Sequence, residues 1–407
     1  MMKLTRRAAL AGAAMALCLA AGGTAMAQET FKVGTINPYS GPLALYGGEV
    51  NRGYELAADA VNKAGGILGR QVEILKGDAT NPQEGIAAVE RLATRENADA
   101  FIGTYLSAVA GAASETALNY NKLYWDTNAL ATNLTERGLP NFVRSGPYSV
   151  SFADVSIDLI LNSLAPKLGK QPGDLTVWLE HEESVYGTSI AEHQKERLEA
   201  AGVKVLGIGA HSYKSIDLTD SVLRARDANP DIWVQTGYVP DGNLLLRTAR
   251  DQGFKPKATV FVGTGDTKET LEAMGADGVE GLLVVSYPRP DISEDYGPGS
   301  KAYLEAYRAK YGEDPIAPQS MAAFVGFKIM AQAINKAGSA EPEAVGGVLG
   351  SFDEPLRTYE TGFGAKFDEN KQNQRAYPTV IQWQGGKQVT VFPDDAAGDN
   401  KMVNIGN

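Results

Sequence analysis

Tyrosine and glycine stand together twice in this chain of 407 residues, at Tyr46–Gly47 in LYGG and at Tyr186–Gly187 in VYGTSI. Each pair sits where a helical pattern opens, and a helix N-terminus presents unpaired amides and a partial positive charge. A tyrosine there supplies an aromatic wall, and the glycine lets another backbone come close. Either tyrosine alone could simply staple its own helix start. The matched pair favours two facing walls of one cleft. Other residues occupy the same kind of position. Tyr105 and Ser107 close FIGTYLS, and the Ser107 hydroxyl with the amides after it forms either a plain helix cap or an anion-ready one. Trp125 and Asp126 end KLYWD, followed by Thr127 and Asn128, and Tyr238 ends WVQTGY. Asp266 follows FVGTG, where a carboxylate can receive an ammonium or hydroxyls, or cap the helix of TKETLEAMG.

These residues suit binding better than catalysis. His181, His193 and His211 have no paired metal spacing, and HEES lacks the second histidine of a zinc helix. The chain contains neither a G-x-S-x-G elbow nor a phosphate loop ending in Gly-Lys-Ser/Thr, and VGTGD lacks the spacing of a dinucleotide fingerprint. The single cysteine, Cys18, falls in the apolar start of the chain, which leaves no thiol chemistry elsewhere. The reading is a non-enzyme with no cofactor and no metal.

The elements that must position these residues alternate. FKVGTI reads as a strand, then residues 49–64 as a helix with Val50, Tyr54, Ala57, Ala58 and Val61 on one face, closed by Gly65–Gly66. QVEIL is a strand, and Asn81-Pro82-Gln83-Glu84 is a strong helix start. ADAFIG, a helix from Ser107 and KLYWD continue the rhythm, which restarts after FVRSGP. A long helix over 149–168, LTVWLE, the helix at Tyr186, VKVLGIG, a helix over 217–228, DIWVQTG, a helix over 241–252, ATVFVGTG and GLLVVSYP form a second block. Helices over 299–311, 318–337 and 341–349 follow, and then a hairpin turning at Gly385–Gly386. Such repeats imply α/β lobes, each a doubly wound parallel sheet covered on both faces. Ligands bind such sheets at the carboxyl ends of the strands.

The first 27 residues read as a secretory signal: Lys3, Arg6 and Arg7, an apolar run, then Ala25-Met26-Ala27. Arg6–Arg7 is compatible with twin-arginine as well as ordinary export. No later stretch approaches the roughly 20 apolar residues of a membrane span. With 49 acidic against 38 basic residues the chain carries a net charge of −11, and losing the signal makes it more acidic. That balance speaks against nucleic acid and anionic membrane surfaces as partners. An exported chain without disulfides relies on its cores, which two large lobes can supply.

INPYSGPLALYGGEVNRGYELAADAVNKAGGILGRQVEIL resembles the amino-terminal signature of type I periplasmic solute-binding proteins, and ERGLPNFVRSGP, VYG and TGYVPDGNLLLRTARDQGF extend the likeness over the chain. More narrowly, the pattern is similar to the branched-chain amino-acid and amide group, the leucine/isoleucine/valine-binding proteins. The resemblance implies two lobes joined by three hinge crossings, residues 28–147 plus 285–374 and residues 148–284 plus 375–407. It implies a monomer that captures a small solute in the periplasm, closes around it and delivers it to a membrane ABC permease and its ATPase. A sensor of the same fold, reporting to a receptor or regulator, is the alternative. By position the resemblance makes Ser107 the carboxylate-binding serine, Tyr105 the residue whose backbone faces the ligand, Tyr186 and Tyr238 second-lobe contacts, and Tyr46 a first-lobe wall. The chain also departs from the family pattern. Leu130 stands where a small hydroxyl residue is expected, with Thr127 or Asn128 as substitutes in a shifted loop. Asp126 needs a cation such as Arg144, Asp266 or Gly265 takes the register of the ammonium-binding acid, and Gln319 replaces an aromatic or apolar residue. A polar, amino-acid-like, amide or aromatic solute is the expectation.

Overall fold

The computed structural model describes residues 29–405. The expected signal over residues 1–27, Cys18 included, lies outside the described residues. Two sheets organise the rest. The first has the order β2-β1-β3-β4-β5, from β1 (Phe31–Asn37), β2 (Val72–Asp78), β3 (Ala100–Gly103), β4 (Tyr124–Asp126) and β5 (Phe142–Arg144), all parallel. The second contains β6 (Thr176–Glu182), β7 (Lys204–His211), β8 (Ile232–Thr236), β9 (Ala258–Val262) and β10 (Leu283–Ser286), and its parallel part runs β10-β9-β8-β6-β7. Counted along the chain, both sheets have the same order 2-1-3-4-5. The expected repetition of layout is therefore real at the level of topology.

Helices α1 (Ala44–Lys63), α2 (Pro82–Thr94) and α3 (Ser107–Asn119) cover the first sheet. Asn81 caps α2 by accepting from the Glu84 amide at 3.0 Å, while the Glu84 carboxylate returns to the Thr80 amide at 2.7 Å. On the second sheet lie α4 (Ser149–Leu159), α5 (Val185–Ala200), α6 (Thr219–Ala228) and α7 (Val239–Asp251). The helical run expected over 149–168 is interrupted, because a π-turn occupies Ile160–Leu164 before the last turn Ala165–Lys167. With helices on both faces, central strands read as unbroken buried runs, AFIG in β3 and IWVQT in β8. Trp178, Trp233, Phe254, Phe261 and Trp383 fill a core layer on one side of the second sheet.

The chain crosses between sheets three times. It leaves the first after β5, returns after β10 through α8 (Ser300–Tyr311) and α9 (Gln319–Ala337), then leaves again for β11 (Thr379–Gln384) and β12 (Lys387–Phe392). Helix α9 packs along α1. The hairpin of β11 and β12 adds antiparallel to β10, and Gly385 and Gly386, at φ 57° and 75°, supply the turn. Among the described residues, no helix is long and apolar enough to cross a membrane.

The doubled Tyr-Gly now has a structural reason. Helix α1 begins at Ala44, five residues before the expected 49, so Tyr46 lies in its first turn after β1. Tyr186 opens α5 after β6, the equivalent place in the second sheet. A Cβ on Gly47 would stand 1.9 Å from the Pro38 carbonyl oxygen, and one on Gly187 would stand 2.2 Å from that of Glu182. Each glycine lets the end of a strand press against the helix that follows it. Gly48, one residue on, has nothing within 4 Å of a built Cβ. Gly47→Ala and Gly187→Ala should each cost about 1–3 kcal/mol in urea unfolding, the usual range for overpacking. Gly48→Ala, in the same helix, should be stabilising by about 0.5–1 kcal/mol.

Candidate functional site

In an open α/β sheet of this order a ligand crevice forms where the strand order reverses, between strands 1 and 3. Here those strands are β1 and β3 in one lobe and β6 and β8 in the other. Tyr46 follows β1, Tyr105 follows β3, Tyr186 follows β6 and Tyr238 follows β8. The four rings form a chain across the lobe junction. Tyr46 stacks on Tyr105 with centroids 4.5 Å apart, Tyr105 meets Tyr238 at 5.8 Å, and Tyr238 meets Tyr186 at 5.2 Å.

A cavity lies at this junction, lined by Tyr105, Asn128, Leu130, Tyr186, Tyr238, Gly263, Tyr287 and Gln319. Its space between atoms amounts to ≈ 270 Å³, divided so finely that it holds little more than one water-sized centre. No Lys, Arg, Asp or Glu stands on its wall. Burial pushes the phenols of Tyr105, Tyr186, Tyr238 and Tyr287 well above the ordinary tyrosine value, so the wall stays uncharged. Two buried polar atoms on it have no protein partner, Asn128 Nδ2 and Gln319 Oε1. One is a donor and the other an acceptor. Buried polar atoms are normally paired, so each has unused capacity for a solute.

The loop after β4, which carries Asn128 and Leu130, is tied down atom by atom. Asn128 O accepts from Tyr287 OH at 2.8 Å, and Ala129 O and Ala131 O accept from Arg144 Nη1 at 2.9 and 2.8 Å. Leu130 O accepts from the Ser149 amide at 2.7 Å and its hydroxyl at 2.8 Å. The Ala129 amide donates to Asp126 Oδ1 at 3.0 Å, and the Ala131 amide to Ser107 Oγ at 3.1 Å. Asp126 Oδ2 also accepts from the Thr104 amide at 3.0 Å, and Asn37 Oδ1 from the Tyr105 amide at 3.1 Å. Burial pushes the Asp126 carboxyl up to about 8, against the opposing pull of Arg144. Burial likewise draws Arg144 below its ordinary value, opposed by Asp126.

The structure thus sorts the ten expected site residues. Tyr105, Asn128, Tyr186, Tyr238 and Gln319 stand together on the wall. Tyr46 stands behind Tyr105 and donates to Asp266 Oδ1 at 2.7 Å. Asp266 caps no helix; it accepts from Tyr46, Ser286 and Gln319, while the short helix at Lys268–Met274 starts without a side-chain cap. Ser107 is likewise no N-cap, since Leu106 holds that place, and its oxygen serves the Ala131 amide. Trp125 is fully buried, with Nε1 donating to Ser145 Oγ at 2.9 Å and its ring edge-on to Phe367. Asp126 braces the loop and Arg144 balances it, but neither is on the wall. Sequence reasoning missed Tyr287 and Gly263, and weighed Leu130 only as a departure from the family pattern. Tyr287 follows β10 as Tyr238 follows β8, so the same strand-end signal marks it.

Behind Tyr238 lies a buried ionic group. His211 Nδ1 is 3.0 Å from Glu180 Oε1, and Nε2 is 2.9 Å from Asp241 Oδ2. Asp241 Oδ1 in turn accepts from the Tyr238 amide at 2.9 Å, which fixes the turn that aims Tyr238. Burial lowers the imidazole pKa, but hydrogen bonds to Asp241 and Glu180 outweigh it and raise the value to about 9. Among the described residues, no cluster of His, Cys, Asp or Glu could hold a metal ion.

A family model described as periplasmic binding protein matches residues 30–388. The chain is 36% identical over 376 residues to Leu/Ile/Val-binding protein homolog 7 of Brucella suis, covering 92% of this chain and 94% of that one. In structure it is similar to the branched-chain amino acid transporter substrate-binding protein LivJ of Streptococcus pneumoniae, solved with isoleucine. That match has a TM-score of 0.76 and 21% identity, and covers 90% of this chain and 100% of the other. A solute-binding protein of an ABC transporter from R. palustris, solved with 4-hydroxybenzoate, gives a TM-score of 0.75 and 20% identity, covering 89% and 95%.

Two outcomes test this geometry. Arg144→Met should destabilise the fold by about 3–5 kcal/mol, because it strands Asp126 and two loop carbonyls; adding Asp126→Asn should recover part of that loss in urea unfolding. For His211 the folded pKa is raised, so its stabilisation is fully present below about 6.5 and is lost as pH rises through about 9. Unfolding free energy should therefore fall from pH 6 to pH 10 more steeply in the wild type than in His211→Gln.

Proposed function

This chain belongs to the periplasmic binding protein family, and we propose that its two lobes close on a small solute at the tyrosine-lined cavity. The protein is a solute-binding component of an ABC importer. The expected lobes, residues 28–147 plus 285–374 and residues 148–284 plus 375–407, need one correction: Val285 and Ser286 pair within the second sheet, so the second crossing falls after β10 and not inside it. Residues 1–27 are the export signal that brings the chain to the periplasm, where it works as a monomer. The captured solute passes to a membrane permease and its ATPase, and the protein does no chemistry on it.

One observation carries this reading: both lobes contribute to a single uncharged wall on which Asn128 Nδ2 and Gln319 Oε1 have no protein partner. Tyr105, Asn128, Leu130 and Gln319 come from the first lobe, Tyr186, Tyr238 and Gly263 from the second. A solute held between them makes contacts that only the closed form completes, which is the physical requirement for ligand-driven closure. The tyrosines and Leu130 offer flat apolar area to an aliphatic or aromatic body. Asn128 donates to a carbonyl or carboxyl oxygen, and Gln319 accepts from an N–H or O–H. An amide, an amino-acid-like zwitterion or an aromatic acid meets these conditions. The named ligands of structural neighbours, isoleucine and 4-hydroxybenzoate, fall in the same classes.

A panel of aliphatic and aromatic amino acids, amides and aromatic acids should contain solutes that raise Tm, since a ligand binding only the folded state stabilises it by mass action. For a solute so found, Tyr238→Ala and Asn128→Ala should each weaken binding by more than about tenfold in calorimetry. Trp125→Phe, in the core, should stay within about twofold. Unchanged affinity in both wall variants would overturn the site.

A further inference from the structure

The inner cavity has a neighbour between the lobes. A second chamber of ≈ 480 Å³ lies at the cleft mouth, on the same strand-end side, between Pro42, Leu43 and Leu106 of the first lobe and Tyr213 and Lys214 of the second. Neighbouring side chains on each lobe line the two chambers and divide them. Tyr105 lines the inner chamber and its neighbour Leu106 the outer. On the other lobe Tyr238 faces inward and Tyr213 outward, and their rings touch edge to face at 5.0 Å. Because the two halves of the partition belong to different lobes, opening the cleft separates them and joins the chambers.

The chemistry changes along the path. Inside are uncharged tyrosines and the Asn128 donor. Behind Tyr105, on neither chamber's wall, the fully buried Asn37 holds the Tyr105 amide with its Oδ1. Outside are the apolar faces of Leu43 and Leu106 and then the Lys214 ammonium, 5.4 Å from the Tyr213 ring centroid. Lys214 makes no ion pair among the described residues. The acidic groups at that rim are already engaged, Asp78 by the Tyr39 and Ser40 amides and Glu84 by the Thr80 amide.

Resting on the solute-binding reading above, we propose that the ligand is an extended amide longer than one amino acid, a dipeptide or N-acyl amino acid. Its apolar or aromatic head lies among the inner tyrosines, which separate to admit it when the cleft opens, its amide oxygen lies beside Asn128, and its terminal carboxylate lies beside Lys214. Lys214 then selects for length: a single amino acid or simple aromatic acid stays among the inner tyrosines and leaves the ammonium unused.

The test is calorimetric titration of the mature chain with two matched pairs, L-leucine against L-leucylglycine and benzoate against hippurate. The extended member of at least one pair should bind about tenfold more tightly than its short partner. Lys214→Glu, a change at an exposed residue, should remove that advantage and leave the short partner within about twofold. Leu106→Trp, which fills the outer chamber, should act the same way, and its Tm reports whether it folds. Equal affinity within both pairs, or equal loss for short and extended solutes in Lys214→Glu, overturns the proposal. If none of the four binds while another panel solute raises Tm, the extended-amide class is wrong and the inner site stands. If nothing in the panel binds, the site itself is wrong.

Discussion

The loop after β4 must bury its backbone at the floor of the cleft, and much of the structure around it exists to satisfy that backbone. An unpaired peptide group in such a place costs about 1–3 kcal/mol, and four consecutive carbonyls, Asn128 to Ala131, are at stake. They are met by Tyr287, Arg144, Ser149 and Arg144 again. Burial disfavours the charge of such a guanidinium, and Asp126, its register partner on the neighbouring strand, pulls in the opposite direction. Asp126 spends its own oxygens on the Thr104 and Ala129 amides. The pair therefore acts through the loop and not through a direct bridge.

That arrangement frees the wall residues. Because side chains outside the cavity satisfy the loop, Asn128 keeps its Nδ2 unspent, and Ser107 becomes a positioning residue for Ala131. In the second lobe the Glu180–His211–Asp241 group plays the corresponding part, holding the Tyr238 turn from behind. Each lobe thus has a buried, charge-compensated support and an uncharged face. Such supports are costly to desolvate, so their worth lies in fixing geometry more than in net stability. A rigid wall on each lobe is what a hinge needs, since a solute can drive closure only against surfaces that do not rearrange on their own.

The lobes also meet without the cavity's help. Tyr46 and Gln319 of the first lobe both donate to Asp266 of the second, one shell behind the wall. These bonds join the lobes across the cleft without any solute.

Much of this was legible in the sequence, for a local reason. Strand–helix alternation, the Asn81-Pro82 start and the Gly385–Gly386 turn each depend on a few adjacent residues, and the matched Tyr-Gly pairs mark equivalent helix starts in two lobes. Tyr105, Tyr186 and Tyr238 reach the cavity wall because they stand at strand ends, and Tyr287, which the sequence reading passed over, follows the same rule. What adjacent residues could not settle was direction and partnership. Trp125 and Asp126 stand at a strand end as Tyr238 does, yet one packs into the core and the other braces a loop. Asp266 could serve a ligand or cap a helix by its neighbours alone, and only the fold brings Tyr46 and Gln319, distant in the chain, to donate to it. Sequence fixes which groups arrive at the cleft, because topology carries every strand end there. Whether a group faces the solute or serves its neighbours depends on which partners fold around it, and those come from opposite ends of the chain.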